Sequence, residues 1–194
     1  MRKRVGSLKS QARSLGIDDA PFDFSKSKRT WLVGVIFRGN LWMEGVLVDT
    51  IQVDGMDVTD VIINMINNTK FASQIRAVFL DGITFGGFNI VDIQRLHVQT
   101  DLPIVTIVEK SPDLKRIRKS LTKFPDSDLR WNLISRLGEP KPVKIRGSKK
   151  CLFVQSVGLE EKELRAVLEL TRKAATVPEA LRAARMFASS LPMI

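Results

Sequence analysis

The chain has 194 residues, of which 44% are hydrophobic, and its 31 Lys and Arg against 21 Asp and Glu give a net charge of +10. This length and hydrophobic content suit one α/β domain with a real core, and the composition excludes a disordered chain; the single cysteine excludes an internal disulfide framework. Charges interrupt every apolar run before it reaches the length of a membrane span, and no apolar stretch follows the basic N-terminus as in a secretion signal, so we expect a cytoplasmic protein.

The first half of the chain begins with strand and hairpin patterns. After a basic tail, residues 13–19 read as a short strand that ends in two aspartates, and residues 20–28 read as a loop. The runs 30–37 and 41–53 are apolar and rich in β-branched residues, and the Arg-Gly-Asn between them (38–40) is a tight-turn signal. We therefore predict that they form a hairpin.

The rest of the chain alternates helical and strand patterns. The order is helix, strand, helix, strand, two helices, strand and two helices, over residues 58–70, 75–81, 90–99, 102–108, 112–122, 126–137, 151–157, 160–173 and 178–190. The segment 138–150, rich in Pro, Gly and Lys, reads as an exposed loop or ribbon. A strand and a hairpin followed by helix–strand–helix–strand is the order of the RNase H-like fold, so we predict a mixed sheet of a hairpin plus parallel strands, flanked by helices.

Positive charge is concentrated in two segments. Residues 1–17 carry five basic groups and no acid, and residues 113–150 carry twelve basic groups against four acidic ones. Such clustering is typical of nucleic-acid binding, because neutralised phosphates release counterions, although a solvated basic surface is the alternative. We predict a single RNase H-like domain over residues 1–194, with a basic helical and loop insertion at about 112–150 and a nucleic acid, with DNA favoured, as the partner.

Carboxylates stand where they could converge from three elements. Asp18 ends the first strand, Asp81 ends the fourth, and Asp57 or Asp60 lies at the start of the first helix. Metal-assisted phosphodiester hydrolysis needs two or three such oxygen ligands for Mg²⁺. They would meet if the first and fourth strands are neighbours, as they are in an RNase H-like sheet. The alternatives are ordinary strand-exit turns and helix N-terminal acids.

A glycine-rich loop follows Asp81 directly. Gly82, Gly86 and Gly87 fit neither a P-loop, since no Gly-Lys-Ser/Thr follows, nor a dinucleotide fingerprint, since the spacing is wrong. The loop therefore reads as a permissive backbone that lets a bulky ligand approach Asp81, with a simple loop as the alternative. Because His97 is the only histidine, the sequence supports neither a zinc site nor a Ser–His triad.

Five segments resemble motifs of endonuclease V, in the same order and over nearly the whole chain. They are GIDD (16–19), FLDGITFGGFNIVDIQRL (79–96), PIVTIVEK (103–110), LFVQSVGLEEKELRAVLEL (152–170) and VPEALRAAR (177–185). The combination of GIDDAPF, VDGMDVTD and LDGITFGGFN is still more similar to the archaeal branch called the endonuclease dU family. This collinear set is much more specific than any single motif.

The resemblance implies an RNase H-like fold and Mg²⁺- or Mn²⁺-dependent cleavage of DNA near deaminated bases such as deoxyuridine or deoxyinosine. Asp18 and Asp81 match the metal-binding aspartates of the relatives, and Lys110 matches their active-site lysine. Asp57 is the candidate for a helix-borne acid, with Asp60 second. The implied catalytic residues are Asp18, Asp57, Asp81 and Lys110, and the implied metal ligands are the three aspartates.

The resemblance also implies which residues face the nucleic acid. They are Gly82, Phe85, Gly86, Gly87, Phe88, Arg182 and Arg185. A wedge or base pocket is expected in the family, and the two phenylalanines or Pro21-Phe22 are its candidates, with core packing as the alternative for each ring.

Two positions depart from the relatives' pattern. Arg185 stands where an acidic residue or histidine is usual, and Leu159 stands where endonuclease V usually has histidine. Arg185 would either weaken metal binding or contact the scissile phosphate. Two hypotheses besides an endonuclease therefore stay open, a non-catalytic nucleic-acid-binding protein on the same fold and a fold relative with no nucleic-acid role.

Overall fold

The computed structural model describes residues 11–147, 150–173 and 175–194. Within these ranges the strands are β1 Arg13–Asp19, β2 Arg29–Arg38, β3 Trp42–Gln52, β4 Ile75–Asp81, β5 Thr84–Phe85, β6 Asn89–Ile90, β7 Ile104–Val108, β8 Lys141–Lys144 and β9 Cys151–Val157. The helices are α1 Val58–Asn68, α2 Ile93–Thr100, α3 Leu114–Leu121, α4 Ser127–Ser135, α5 Glu161–Thr171 and α6 Glu179–Ser190.

Seven of these strands form one mixed sheet in the order β3-β2-β1-β4-β7-β9-β8. The predicted β2–β3 hairpin lies on one side of β1, and β4 and then β7 continue the sheet in parallel on the other side. Strands β9 and β8 extend it with antiparallel pairing. The prediction of a mixed sheet with a hairpin and a parallel part is confirmed, and β1 and β4 are neighbours as expected.

Helices cover both faces of the sheet, and the alternation of side chains along a strand decides which residues each helix meets. On β4, Val78 and Leu80 belong to the core under α1 and α2, whereas Ala77 and Phe79 belong to the core under α5 and α6. Because side chains alternate between the two faces, a residue two positions after Phe79 on the same strand also faces α5 and α6.

Helix α6 approaches β1 at backbone distance because the facing strand residue is Gly16. A Cβ at Gly16 would lie 2.2 Å from the carbonyl carbon of Ala180, closer than any real contact allows. Further along the helix, small side chains pack on β2, among them Ala183, Ala184 and Ala188. These small residues hold α6 firmly over the centre of the sheet.

Two local predictions needed adjustment. The helix expected from residue 90 begins at Ile93, because Asp92 caps it by accepting a hydrogen bond from the N–H of Arg95 at 2.9 Å. The preceding glycine-rich loop folds into the short β5–β6 hairpin instead. In the segment 138–150, residues of β8 pair with β9, so part of the expected loop or ribbon is an edge strand.

The basic helices α3 and α4 pack against the glycine-rich loop. Their apolar side chains form a small core of their own with Ile90, Leu121 and Ile134 at its centre. In the described ranges, no helix is long and apolar enough to cross a membrane.

Candidate active site

Asp18 and Asp81 lie side by side at the carboxyl ends of β1 and β4. The parallel register pairs Ile17 with Leu80, so the residues that follow them are lateral neighbours. Asp81 is two residues beyond Phe79, which packs under α5 and α6, and its side chain accordingly points to the face that α6 covers. The two strands thus bring together the two aspartates that sequence reasoning singled out first.

The environment of Asp18 disfavours its charged form. Burial, followed by repulsion from Asp81 and Asp19, raises the pKa of Asp18 to about 8. The N–H of Asp19 donates to Asp18 Oδ1 at 2.9 Å and opposes the shift, as does the nearby guanidinium of Arg185. Asp18 therefore holds a proton at neutral pH.

Asp19 serves the opposite face of the sheet from Asp18. Its Oδ2 accepts a hydrogen bond at 2.9 Å from the N–H of Gly86, in the glycine-rich loop. Burial raises the pKa of Asp19 to about 6, and the hydrogen bond from Gly86 opposes that rise. Asp19 thereby tethers the loop to the end of β1, next to the aspartate pair.

Arg185 of α6 grips Asp81 with a two-pronged contact. Its Nε donates to Asp81 Oδ2 at 2.6 Å and its Nη2 donates to Asp81 Oδ1 at 2.8 Å. The remaining nitrogen, Nη1, donates to Glu109 Oε1 at 2.7 Å, just beyond the end of β7. Burial alone would lower the pKa of Arg185, but its hydrogen bonds to Asp81 and Glu109 raise the pKa above its ordinary value, so it stays charged.

Asp57 is not part of this group. It stands at the N-terminus of α1, where its carboxylate accepts from the backbone N–H of Gln52 at 3.2 Å and from Asn89 Nδ2 at 2.6 Å. Asp60, the second candidate, pairs with Arg95. Helix α1 packs against the opposite face of the sheet from α6, so its acids are directed away from Asp81.

The placement of Asp57 as a third ligand is therefore corrected. The helix that reaches the aspartate pair is α6, and it delivers an arginine rather than an acid. In residues 11–147, 150–173 and 175–194, no group of three or more His, Cys, Asp or Glu side chains is arranged to hold a metal ion. Lys110 is exposed beyond β7 and, in the same ranges, forms no ion pair with these carboxylates.

The predicted contact residues of the glycine-rich loop differ in how deeply they are buried. Phe85 is 1% exposed and packs in the core under α1 and α2, which corrects its assignment to the substrate-facing surface. Phe88 is half-buried and packs edge-to-face on Phe124 with ring centroids 5.8 Å apart. Gly87 has a φ of +88°, and a Cβ there would lie 2.4 Å from Asp54 Oδ1, so the loop needs glycine at this position.

The other predicted contacts have distinct environments. Gly82, with a φ of +78°, follows Asp81 directly, and Gly86 is the residue tethered by Asp19. Arg182 donates to Glu179 Oε2 at 2.6 Å on its own helix, and this pairing directs its guanidinium to a different acid from the one that Arg185 binds.

The sequence analysis did not single out Phe24 and Lys123, which border the glycine-rich loop. Phe24 is 69% exposed, its ring packs on Phe22 with centroids 4.6 Å apart, and it lies over Gly87. Lys123 has its Nζ 3.5 Å from Asp54 Oδ2 and 4.7 Å from the centre of the phenylalanine ring that follows it. The one available signal was an aromatic residue in the otherwise polar stretch 23–28.

Comparison with known proteins identifies the family. The family model described as Endonuclease dU matches residues 10–192. The chain belongs to the endonuclease dU family. A UPF0215 protein of Methanothermobacter thermautotrophicus is 41% identical over 187 residues, covering 96% of this chain and 90% of the relative. A UPF0215 protein of Thermococcus kodakarensis is 41% identical over 191 residues, covering 96% and 95%. The resemblance inferred from the motifs is thereby confirmed.

Solved structures confirm the fold. A crystal structure from Archaeoglobus fulgidus has a TM-score of 0.80 at 32% identity and covers 91% of this chain and 95% of that one. Endonuclease V of Ciona intestinalis, in complex with inosine-containing DNA, has a TM-score of 0.62 at 11% identity, with 94% and 86% covered. Argonaute of Marinitoga piezophila has a TM-score of 0.54 at 14% identity and is covered over 31% of its length. The endonuclease dU fold is thus RNase H-like, and family and fold together point to a nuclease.

Proposed function

We propose that the protein is a Mg²⁺- or Mn²⁺-dependent endonuclease that hydrolyses a DNA phosphodiester near deaminated bases, deoxyuridine or deoxyinosine. The observation that carries the proposal is the pair formed by Asp18 and Asp81 at the ends of adjacent parallel strands. A carboxyl group with a raised pKa, as Asp18 has, is typical of functional sites, and open α/β sheets bind ligands at the carboxyl ends of their strands.

The chemistry of the pair fits a hard divalent cation. Mg²⁺ is usually held by one or two carboxylates and completes its shell with water and phosphate oxygens. Asp18 and Asp81 supply those two carboxylates, and their mutual repulsion is what a cation would relieve. When bound, such an ion polarises the phosphoryl group and generates a nucleophile from water.

The chain's own residues prepare the site for a phosphate and a metal ion. Arg185 fixes the orientation of Asp81 through its fork, and Asp19 fixes the glycine-rich loop through the N–H of Gly86. Gly82 leaves the backbone immediately after Asp81 without a side chain, so a phosphate can approach closely. Lys110, exposed beyond β7, is available to balance phosphate charge.

Exposed cations next to this site suit a nucleic-acid backbone. On α3 the side chains of Lys115, Arg116 and Lys119 are exposed, and the helix packs through its apolar side on the loop that follows Asp81. Each phosphate that these cations neutralise releases counterions and strengthens binding. The exposed ring of Phe24 offers a surface on which an unstacked base can lie.

The test is a nicking assay on duplexes that contain one deoxyuridine or one deoxyinosine, with Mg²⁺, Mn²⁺ or EDTA. We expect metal-dependent cleavage that falls at least about 100-fold in Asp81→Asn, since a lost ligand removes transition-state stabilisation. Asp60→Asn is the matched control, because Asp60 is exposed and pairs only with Arg95 in the described ranges; it should cleave like the parent. Cleavage that survives Asp81→Asn unchanged would contradict the proposal.

A non-catalytic nucleic-acid-binding protein is the second candidate. Arg185 favours it, because this guanidinium already engages both oxygens of Asp81. Salt-dependent binding of the same duplexes without cleavage in any metal would support this candidate and exclude the first.

A further inference from the structure

We infer that Arg185 is a built-in cation of the site, which takes the place of a second metal ion on Asp81 and limits the chain to one bound divalent ion. This rests on the proposed function to the extent that a metal ion is expected at the aspartate pair. It concerns how many ions the site accepts and which residue sets that number.

The contacts of Arg185 are those of a bridging cation. Two carboxylates at the ends of different strands meet at one guanidinium, Asp81 through two hydrogen bonds and Glu109 through a third. A planar guanidinium matches a carboxylate with two parallel N–H···O bonds, which hold it more firmly than a single contact would. In two-metal sites two ions lie about 4 Å apart. Here the guanidinium already binds both oxygens of Asp81, so only the remaining lone pairs of that carboxylate are left for a metal ion.

Arg185 is held in this position by the packing of its helix. The contact of α6 with Gly16 leaves no room for even a methyl group, and Ala184, the residue before Arg185, is 0% exposed. The side chain of Arg185 is 26% exposed, against 43% for Arg182 one turn earlier, which is bound to Glu179 instead. Arg185 is thus a fixed part of the site and not a mobile surface charge.

The fixed charge has an electrostatic consequence. A second divalent ion on Asp81 would lie beside a guanidinium that is within hydrogen-bond distance of the same carboxylate, and the two cations would repel each other in a partly buried site. A single ion on the Asp18 side of Asp81 avoids that contact. Removal of the guanidinium would leave Asp81 and Glu109 as two oxygen donors facing the same emptied space.

Manganese titration tests the inference directly. Free Mn²⁺ is followed by electron paramagnetic resonance and binding heat by calorimetry, for the parent chain, Arg185→Met, Arg185→Lys and the control Arg182→Met. We expect one ion per chain in the parent, in Arg182→Met and in Arg185→Lys, which keeps the charge. In Arg185→Met we expect two ions per chain, because the place of the guanidinium becomes a second oxygen-lined site.

The outcomes separate this inference from the proposed function. Two ions or none in the parent, or one ion in a folded Arg185→Met, overturns the inference whatever the cleavage assay shows. Thermal melting in EDTA establishes which variants are folded. If Arg185→Met is unfolded, the number of ions bound by the parent becomes the deciding measurement, and two ions or none would overturn the inference. One ion in the parent and two in Arg185→Met, without nuclease activity in the parent, would support the inference while rejecting the endonuclease.

Discussion

Two groups of aspartates in this protein have similar sequence contexts and opposite fates. The strand-end aspartates are Asp18, Asp19 and Asp81, and the turn aspartates, in the connection from β3 to α1 and its first turn, are Asp54, Asp57 and Asp60. Every member of both groups follows or precedes an apolar segment, and either group could have been read as a metal site. The difference lies in how their charges are balanced.

The turn aspartates are balanced by separate local partners. Asp54 accepts the N–H of Phe88 at 2.8 Å, Asp57 accepts from Gln52 and Asn89, and Asp60 pairs with a cation across the surface. Each carboxylate meets its own donors, and these bonds hold the turn and the glycine-rich loop in place. Such acids stabilise structure and have no need of a metal ion.

The strand-end aspartates instead crowd one another. Asp18 is raised in pKa by burial and by two neighbouring carboxylates, and the described residues supply it with one backbone N–H. Asp81 receives its side-chain hydrogen bonds from a cation brought by a helix residue 104 positions further along the chain. Within this group Asp18 is therefore the acid whose surroundings compensate its charge least, whereas Asp81 is paired with Arg185.

The largest change in stability is expected from Gly16→Ala, which disturbs the helix that contacts the strand-end aspartates. The new Cβ would meet backbone atoms of Ala180 and Leu181 within 2.4 Å, so α6 must move and carry Arg185 away from Asp81. We expect a loss of about 3 kcal/mol in the free energy of unfolding, in the range of overpacking changes that shift backbone. Urea unfolding measures it.

A matched control for this change is Gly138→Ala. Gly138 has a positive φ, +70°, but among the described residues nothing outside its chain neighbours lies within 4 Å of where a Cβ would stand. Only backbone strain of about 1 kcal/mol is therefore expected. Equal losses in the two variants would show that α6 does not rest on Gly16.

A smaller effect, of opposite sign, is expected from Asp18→Asn. Because the folded-state pKa of Asp18 is raised, the folded chain holds a proton that the unfolded chain releases, and stability falls as pH rises from about 4 to about 8. The asparagine variant lacks this loss, so its stability relative to the parent should rise by at least about 2 kcal/mol between pH 4 and pH 8. Urea unfolding from pH 4 to pH 9 without metal checks it; a constant difference across that range would mean that Asp18 does not titrate as described.

The smallest effect is expected from Asp57→Asn, a turn aspartate. The amide can keep one acceptor contact but loses charge-assisted bonds to Gln52 and Asn89, so we expect a loss of about 1 kcal/mol. Metal affinity should be unchanged, because Asp57 lies on the opposite face of the sheet from Asp81. Weaker Mn²⁺ binding in this variant would show that Asp57 is a metal ligand, and the proposed difference between the two groups of aspartates would then be wrong.

Most of the fold and half of the site could be predicted from the sequence. The apolar runs before Asp18 and Asp81 marked both as strand ends, and the order of elements made their strands neighbours. Counting in twos from Phe79 also assigns Asp81 to one face of the sheet. These inferences need only local patterns and the rule that parallel strands end at a common edge.

The remainder depends on packing between distant segments. The face on which α1 lies decides that Asp57 cannot join the pair, and nothing within the helix itself reveals that choice. The contact of Arg185 with Glu109 joins residues 76 positions apart and requires the close approach of α6 over Gly16. The motif comparison marked Arg185 as a departure, but only the geometry shows what it binds.

The most direct test of a metal site at the aspartate pair is a crystal structure of the protein with Mn²⁺, read from the anomalous signal of the ion. We expect one ion bound to carboxylate oxygens of Asp18 and Asp81, with Arg185 still on Asp81 and Asp57 still bound to Asn89. An ion held by Asp57, or no ion at the aspartate pair when Mn²⁺ is saturating, would contradict this assignment.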